Sequence, residues 1–410
     1  RLRERTDGNG ARTEVEVDAL GRMTLRRYLS AAGEDIAEER WTLDGNGNPT
    51  LIEQVGADGQ RYVTRREWDG QERLQAETDR YGQRTDYTFD AYGNRLRRDD
   101  PLGGTAYTLD RLHRTVAVRP EGDAAIQLSW SPEGRLLGLQ HPNGATQAVV
   151  LDDGGRIGEI VHRQGSTQVA RSTYAYDLRG NREAETRDDA FGSTEIGYTY
   201  DLDDRLTGVA QQTGTLQREE TFVLDAVGNR LSQETRENGT RVQQVSFDYG
   251  PRQRLDQRTD LQTGIVTTYA YDGNGALIEE TTAGSTTGYR QNPQERLATL
   301  TLPGAPPVHY AYDSEGRRVE KRSASEARRF GWDGSQLRRE TNVTNNLLNA
   351  YEWHAGRVLR SRTPSQTLYA QHDALRSPTR WSLADGTEQA RRRYSAWGED
   401  EARQGEGPAV

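Results

Sequence analysis

A short motif recurs along this chain at almost constant spacing, and it limits the possible folds more than any other feature. Val17-Asp18-Ala19-Leu20-Gly21-Arg22, Phe89-Asp90-Ala91-Tyr92-Gly93-Asn94, Tyr176-Asp177-Leu178-Arg179-Gly180-Asn181, Leu224-Asp225-Ala226-Val227-Gly228-Asn229 and Tyr312-Asp313-Ser314-Glu315-Gly316-Arg317 share one pattern. An aromatic or aliphatic residue precedes Asp, two variable positions follow, then Gly and a polar residue. The Asp position falls at 18, 44, 69, 90, 110, 131, 152, 177, 201, 225, 248, 272, 292, 313, 333 and 354, an average of about 22 residues per repeat. Ser131, Asn292 and His354 stand in for Asp. Such a period marks an array in which each unit buries its apolar face against its neighbours.

The residue types explain the motif. In Tyr174-Ala175-Tyr176, Tyr198-Thr199-Tyr200, Tyr269-Ala270-Tyr271 and Tyr310-Ala311-Tyr312 two aromatics sit two apart, which places them on one face of a strand. The Asp carboxylate can accept the backbone N–H two residues on, and Gly supplies the left-handed position that closes a type I turn with a bulge. A second turn lies about ten residues further on, as in Ala57-Asp58-Gly59, Asp79-Arg80-Tyr81-Gly82, Pro142-Asn143-Gly144, Glu237-Asn238-Gly239 and Asp260–Gly264, a spacing typical of short strands. Two turns and two strands per repeat predict an all-β meander with strands of roughly six residues.

Composition fits a thin sheet. Apolar residues make up 32% and charged residues 29%, with a mean hydropathy of −0.96; such values alone lean towards disorder. Nineteen Tyr, seven Trp and five Phe point instead to a sheet wetted on both faces. Without Cys, disulfides, thiolate zinc sites and cysteine nucleophiles are excluded. A net charge of −9 with interspersed signs does not suit nucleic acid. No apolar run reaches the ~18 residues of a membrane span, and residues 1–30 carry no signal-peptide pattern. The opening Arg1, in place of Met, reads as the start of a piece of something longer. Of 54 basic residues only Lys321 is lysine; a GC-rich gene would explain that, and so would arginine's capacity to stack and fork.

The repeated Tyr-x-Tyr-Asp-x-x-Gly-Arg/Asn-Leu pattern resembles the YD repeats of bacterial RHS (rearrangement hot spot) proteins, of toxin-complex C subunits and of teneurins. Residues 369–398, through Tyr369, His372, Asp373, Ser377-Pro378, Asp385-Gly386, Tyr394 and Trp397-Gly398, are similar to the end of an RHS core. The resemblance implies a division into a YD array (1–368), a core-like terminal segment (369–400) and a tail (401–410). It further implies tandem β-hairpins coiled as a long ribbon into a hollow shell. That shell would enclose a C-terminal toxin polypeptide released at an Asp-Pro-x-Gly segment, expected soon after the region matching residues 369–398 and not found there. Arg376 stands where the family usually has Gly, so an altered turn is expected there.

A search for chemistry returns no catalytic, cofactor-binding or metal-ligating residue. Asp99-Asp100-Pro101-Leu102-Gly103 superficially resembles the release motif but lies mid-array and reads as a turn. Asp44-Gly45-Asn46-Gly47-Asn48 begins like a calcium loop, yet Pro49 and Val55 occupy the positions that need Gly and Glu. His113, His141, His162, His309, His354 and His372 form no ligand pair and read as scattered surface residues, with a structural hydrogen bond for His372. The runs Arg97-Arg98, Arg317-Arg318 and Arg391–Arg393 read as ion-paired, solvated sheet faces. The leading expectation is therefore a non-enzymatic shell segment, secreted or cell-surface associated, by an export route the sequence leaves open. Its partners would be the encapsulated toxin, the remainder of the RHS shell and secretion-system components, with no nucleic acid. The alternative is an adhesive or glycan-binding surface protein.

Overall fold

The computed structural model describes residues 2–56, 59–396, 398–405 and 407–408. Among them are 37 strands and a single short 3-10 turn, Pro251–Gln253. The all-β expectation holds, with strands of five to ten residues. The turn proposed at Ala57-Asp58, together with Trp397, Glu406, Ala409 and Val410, lies outside the described residues.

The chain divides into two compact units. One comprises Arg1–His113, Val118–Asp123 and Tyr269–Leu348; the other comprises Arg114–Ala117, Ala124–Thr268 and Asn349–Val410. Within each, strands consecutive in sequence pair antiparallel, as Leu2–Thr6 does with Arg12–Val17 and Thr167–Tyr176 with Arg182–Asp189. Each unit thus holds an earlier and a later run of hairpin ribbon.

The turn mechanism is seen repeat by repeat. Asp18 Oδ1 accepts the N–H of Leu20 and of Arg22, each at 2.9 Å, and Asp177, Asp201 and Asp225 do the same two and four residues on. Gly21, Gly93, Gly180 and Gly228 have φ of 81°, 90°, 95° and 96°. The ladder slips by one residue just before the anchor, between Ala175 and Tyr176, Thr199 and Tyr200, and Ala311 and Tyr312; this is the expected bulge. At the second turn, Asn238 and Gly239 have φ of 47° and 78°, the two positive angles of a tight type I′ hairpin.

Four positions depart from the sequence reading, among them His354, which ends its strand in a tight hairpin opposite Arg357 in place of an anchor turn. Asp248 is not an anchor: it lies within the strand Thr240–Tyr249, and the turn begins at Gly250, whose N–H donates to Arg254 O at 2.9 Å. Phe247-Asp248 imitates the motif, but the turn is set by Tyr249-Gly250. Asp333 ends its strand in a tighter hairpin opposite Gln336, which frees its carboxylate for other partners. Arg376 leaves the turn unaltered by taking φ of 73° itself, with Asp373 N to Ser377 O at 3.0 Å; the side chain accepts a strain of about 1 kcal/mol.

Two devices tie each repeat to the next. The residue before the anchor reaches back with its polar tip to the strand that opened the previous hairpin. Tyr176 Oη donates to Ile157 O at 2.9 Å, Tyr200 to Arg182 O at 2.8 Å, Tyr249 to Arg230 O at 3.2 Å and Tyr312 to Leu297 O at 2.9 Å. Trp68, Trp130 and Trp332 do the same through Nε1, to Pro49 O, Thr115 O and Arg318 O. Each such bond is worth about 1 kcal/mol. Arginine four residues after the anchor supplies the second device. Arg205 Nε donates to its own Asp201 Oδ2 at 2.7 Å while Nη1 reaches Asp225 O of the next turn at 3.1 Å. Arg22, Arg73, Arg156 and Arg317 repeat the arrangement. Arg73 and Arg156 also stack over the next repeat's Phe89 and Tyr176, at 5.0 and 4.5 Å. A lysine ammonium cannot fork to two acceptors and stack at once, so arginine's predominance has a structural use.

Burial follows from this thinness. The interior is a series of small clusters rather than one core, such as Ile196, Val209 and Phe222 on successive strands, with Tyr198, Leu206 and Leu224 packed against them.

Candidate functional site

In each unit the earlier and later runs meet along a seam, and the cavities and buried charges are there. In the first unit two identical Asp-Gly-Asn-Gly turns meet head to head. Asn9 Oδ1 accepts Gly273 N–H at 2.8 Å, Asn274 Oδ1 accepts Gly8 N–H at 2.6 Å, and each Asn amide donates to the other turn's Asp. Further along, Glu39 (2% exposed) accepts from Gln54 and Gln294 at 2.9 and 2.7 Å and from Arg26 and Tyr28 at 3.3 Å. Burial raises its pKa despite Arg26. Asp333 receives Arg95 at 2.7 Å and Arg98 at 3.1 Å, and Asp100 receives Arg338 at 2.8 Å. Burial opposes ionisation of Asp333, but the two guanidinium groups outweigh it and hold its pKa below the ordinary value.

The second unit's seam encloses a cavity of about 480 Å³. Tyr174 and Tyr176 from the strand Thr167–Tyr176 and Tyr198 and Tyr200 from Gly192–Tyr200 contribute aromatic lining, because alternate residues share a face. Glu185 (4% exposed) joins the groups around them, accepting from Arg182 at 3.0 Å, Arg187 at 2.6 Å and Tyr198 at 3.1 Å. Arg187 continues to Tyr394 O at 3.1 Å, and Arg393 forks to Asp189 at 2.6 and 2.9 Å. Burial and then Glu185 push the Tyr174 and Tyr198 hydroxyls far above their usual pKa. The lining is hydrogen-bonding and aromatic, and the Tyr174 and Tyr198 hydroxyls stay protonated at neutral pH.

The histidines are not uniformly superficial. His141, His162 and His372 are 2%, 6% and 0% exposed and gather at this seam. His141 Nε2 lies 2.9 Å from Ala370 O and His162 Nε2 3.1 Å from His372 O. His372 crosses the seam by its backbone, donating N–H to Gln147 Oε1 at 2.9 Å. Burial lowers the pKa of His141 and His162 to about 4 and that of His372 well below 6.5. Two of the arginine runs are corrected likewise, since Arg98 and Arg393 are buried (2% and 8% exposed), whereas in the third Arg317 pairs with Asp313 and Arg318 is exposed.

The remaining sequence candidates are spent on turns. Asp44 Oδ1 accepts the N–H groups of Asn46, Gly47 and Asn48, each at 2.9 Å. Asp99 pairs with Arg97, and Asp100 closes the hairpin opposite Gly103.

A ribbon of antiparallel hairpins with repeat-to-repeat tyrosine and arginine ties defines a YD-repeat protein. The Teneurin YD-shell family model matches residues 124–402, and the chain belongs to that family. It is 30% identical over 342 residues to toxin protein Tse5 of Pseudomonas aeruginosa, covering 76% of this chain and 24% of that protein. It is 26% identical over 299 residues to double-stranded DNA deaminase toxin A of Burkholderia cenocepacia, covering 63% of this chain and 20% of the relative. Among solved structures, the fold matches TcdB2-TccC3 without its hypervariable C-terminal region, with a TM-score of 0.69, 15% identity and coverage of 98% of this chain and 24% of that one. The chain spans about a quarter or less of these proteins' lengths. It is thus a YD-shell segment related to RHS-type toxins. The shell family is a structural one, and the activities in the relatives' names are stated of those proteins. No helix among the described residues is long and apolar enough to cross a membrane.

Proposed function

We propose that this chain is wall material of an RHS-type toxin, a non-enzymatic shell segment that encloses a C-terminal effector polypeptide and helps deliver it. The observation that carries the reading is the paired-run architecture. Its buried polar groups are used to join one run of ribbon to another, and its toxin relatives share that region. Residues 1–368 act as the repeat array, 369–400 as a core-like terminal segment and 401–410 as a tail. Its partners are the effector, the rest of the shell and components of a secretion system, and its destination is outside the producing cell or on its surface.

The test is limited proteolysis of the intact gene product. A downstream effector enclosed by the wall resists protease until the wall is unfolded. Cleavage of the effector at the rate of the free polypeptide would sink the reading.

A further inference from the structure

In an Asn-Gly step the asparagine side chain is open to attack by its own backbone, because glycine sets no Cβ in the way of the ring that forms. The chain has five such steps, at Asn9, Asn46, Asn143, Asn238 and Asn274. Three of these asparagines clasp the seams. In the first unit Asn9 Oδ1 accepts Gly273 N–H at 2.8 Å and its Nδ2 donates to Asp272 Oδ2 at 3.0 Å, while Asn274 Nδ2 donates to Asp7 Oδ2 at 2.9 Å. In the second unit Asn143 Nδ2 donates to Leu383 O at 2.7 Å and to Ser382 Oγ at 2.8 Å, and its Oδ1 accepts Ala145 N–H at 3.1 Å. Asn46 occupies the same Asp-Gly-Asn-Gly turn as Asn9 but meets no second turn. It is exposed, and its side-chain amide has no hydrogen-bond partner among the described residues.

Deamidation needs the glycine nitrogen to reach the asparagine Cγ. That nitrogen bonds to Cγ, its proton passes to Nδ2, the Cγ–Nδ2 bond breaks and ammonia leaves. Water then opens the succinimide. Cleavage of the Cγ–N bond gives aspartate, and cleavage at the main-chain carbonyl gives isoaspartate; nothing is oxidised or reduced. An asparagine held at both ends of its amide cannot swing Cγ onto the following nitrogen, so a closed clasp opposes the first step. The product in turn opposes the clasp. A carboxylate at position 9 faces the Asp272 carboxylate where an amide had donated to it, and like charges at that range repel. Gly273 N–H keeps an acceptor, but the bond to the charged Asp272 is lost. A carboxylate at position 143 faces Leu383 O, and neither group can donate.

We propose that Asn9, Asn143 and Asn274 are deamidation sites gated by the seams. They are protected while the two runs of a unit are clasped, freed when the runs part, and unable to re-form the clasp once converted. A seam that stays open is thereby made permanently open, with water as the only co-reactant. The chemistry belongs to the clasps themselves. Its consequence, that a wall once opened cannot close again, rests on the shell-wall reading.

The test follows deamidation of the intact gene product at mildly alkaline pH by peptide mass spectrometry. Asn9, Asn143 and Asn274 are expected to react about tenfold or more slowly than Asn46 in the folded protein, and at similar rates to it in urea. Equal rates in the folded protein would overturn the inference. The second half measures hydrogen exchange at Gly273 N–H in Asn9→Asp, where a rise of about tenfold or more is expected. Adding Asp272→Asn returns an amide donor between the two side chains, and an asparagine can hold its own anchor turn as Asn292 does, so exchange should slow again. Unchanged exchange in the single variant, or no recovery in the double one, also sinks the idea. Effector protection is read separately by protease. A leaky shell with slow seam asparagines removes only the encapsulation reading, and a protective shell with fast ones removes only this inference.

Discussion

Gly8 and Gly273 stand back to back at the first unit's seam, each turn donating its glycine N–H to the asparagine of the other. A Cβ at either glycine would overlap the carbonyl oxygen of its counterpart. Gly8→Ala or Gly273→Ala should therefore destabilise the first unit by about 1–3 kcal/mol, measured by urea unfolding. Gly45→Ala, in the same kind of turn with open space around it, should be close to neutral. Equal losses at Gly8 and Gly45 would refute the seam.

The tyrosine ties predict a specific cost for one oxygen. Tyr200→Phe keeps the ring and removes the bond to Arg182 O, so a loss of about 0.5–1.5 kcal/mol is expected. The double variant with Tyr312→Phe, in the other unit, should be near additive because the sites share no partner. Chemical denaturation of single and double variants provides the measurement.

Acid should act on the two units in a fixed order. His141 and His162 have folded pKa values of about 4 against 6.5, so the unfolded chain binds more protons below pH 6.5. Stability held by keeping these rings neutral is present above pH 6.5 and falls as pH drops towards 4, by about 2 kcal/mol per histidine at pH 5. Asp333 works at lower pH. Its folded pKa is depressed, so its contribution is present above the ordinary carboxylate value and is lost only as pH falls through the lower folded one. Hydrogen exchange across a pH series should show Ala145–Leu151 and Thr367–His372 losing protection before Arg95–Asp100. The reverse order would contradict the assignment.

Arg376 offers a stabilising change. Its φ of 73° favours glycine, so Arg376→Gly should raise the second unit's stability by up to about 1 kcal/mol. Destabilisation by the same measurement would show that the contact of its guanidinium with Ala355 O outweighs the strain.

What could be read from sequence divides by distance along the chain. Asp18, Gly21 and Arg22 act within five residues, so their turn was legible as chemistry. Asp248 misled because Phe247-Asp248 and Tyr249-Gly250 overlap, and local pattern alone cannot choose between two phases two residues apart. The buried positions of His141, His162 and Arg393 had no local signal. They depend on which run of ribbon comes to lie alongside, and those partners are some 200 residues away. The tyrosine hydroxyl was intermediate: its tip bonds one hairpin back, and the preference for Tyr and Trp over Phe before the anchor was its one trace.

That distance has a consequence for how the protein is made. Asp7 waits for Asn274, 267 residues later, and at ~5–20 residues per second a ribosome needs on the order of tens of seconds to supply it. During that interval the first hairpins are complete, yet the surface meant for the later run lies open in a crowded cell. A nascent ribbon of this kind needs shielding while it grows, and the polar, charge-dense turns that join its coils are well suited to keep it from sticking before they meet.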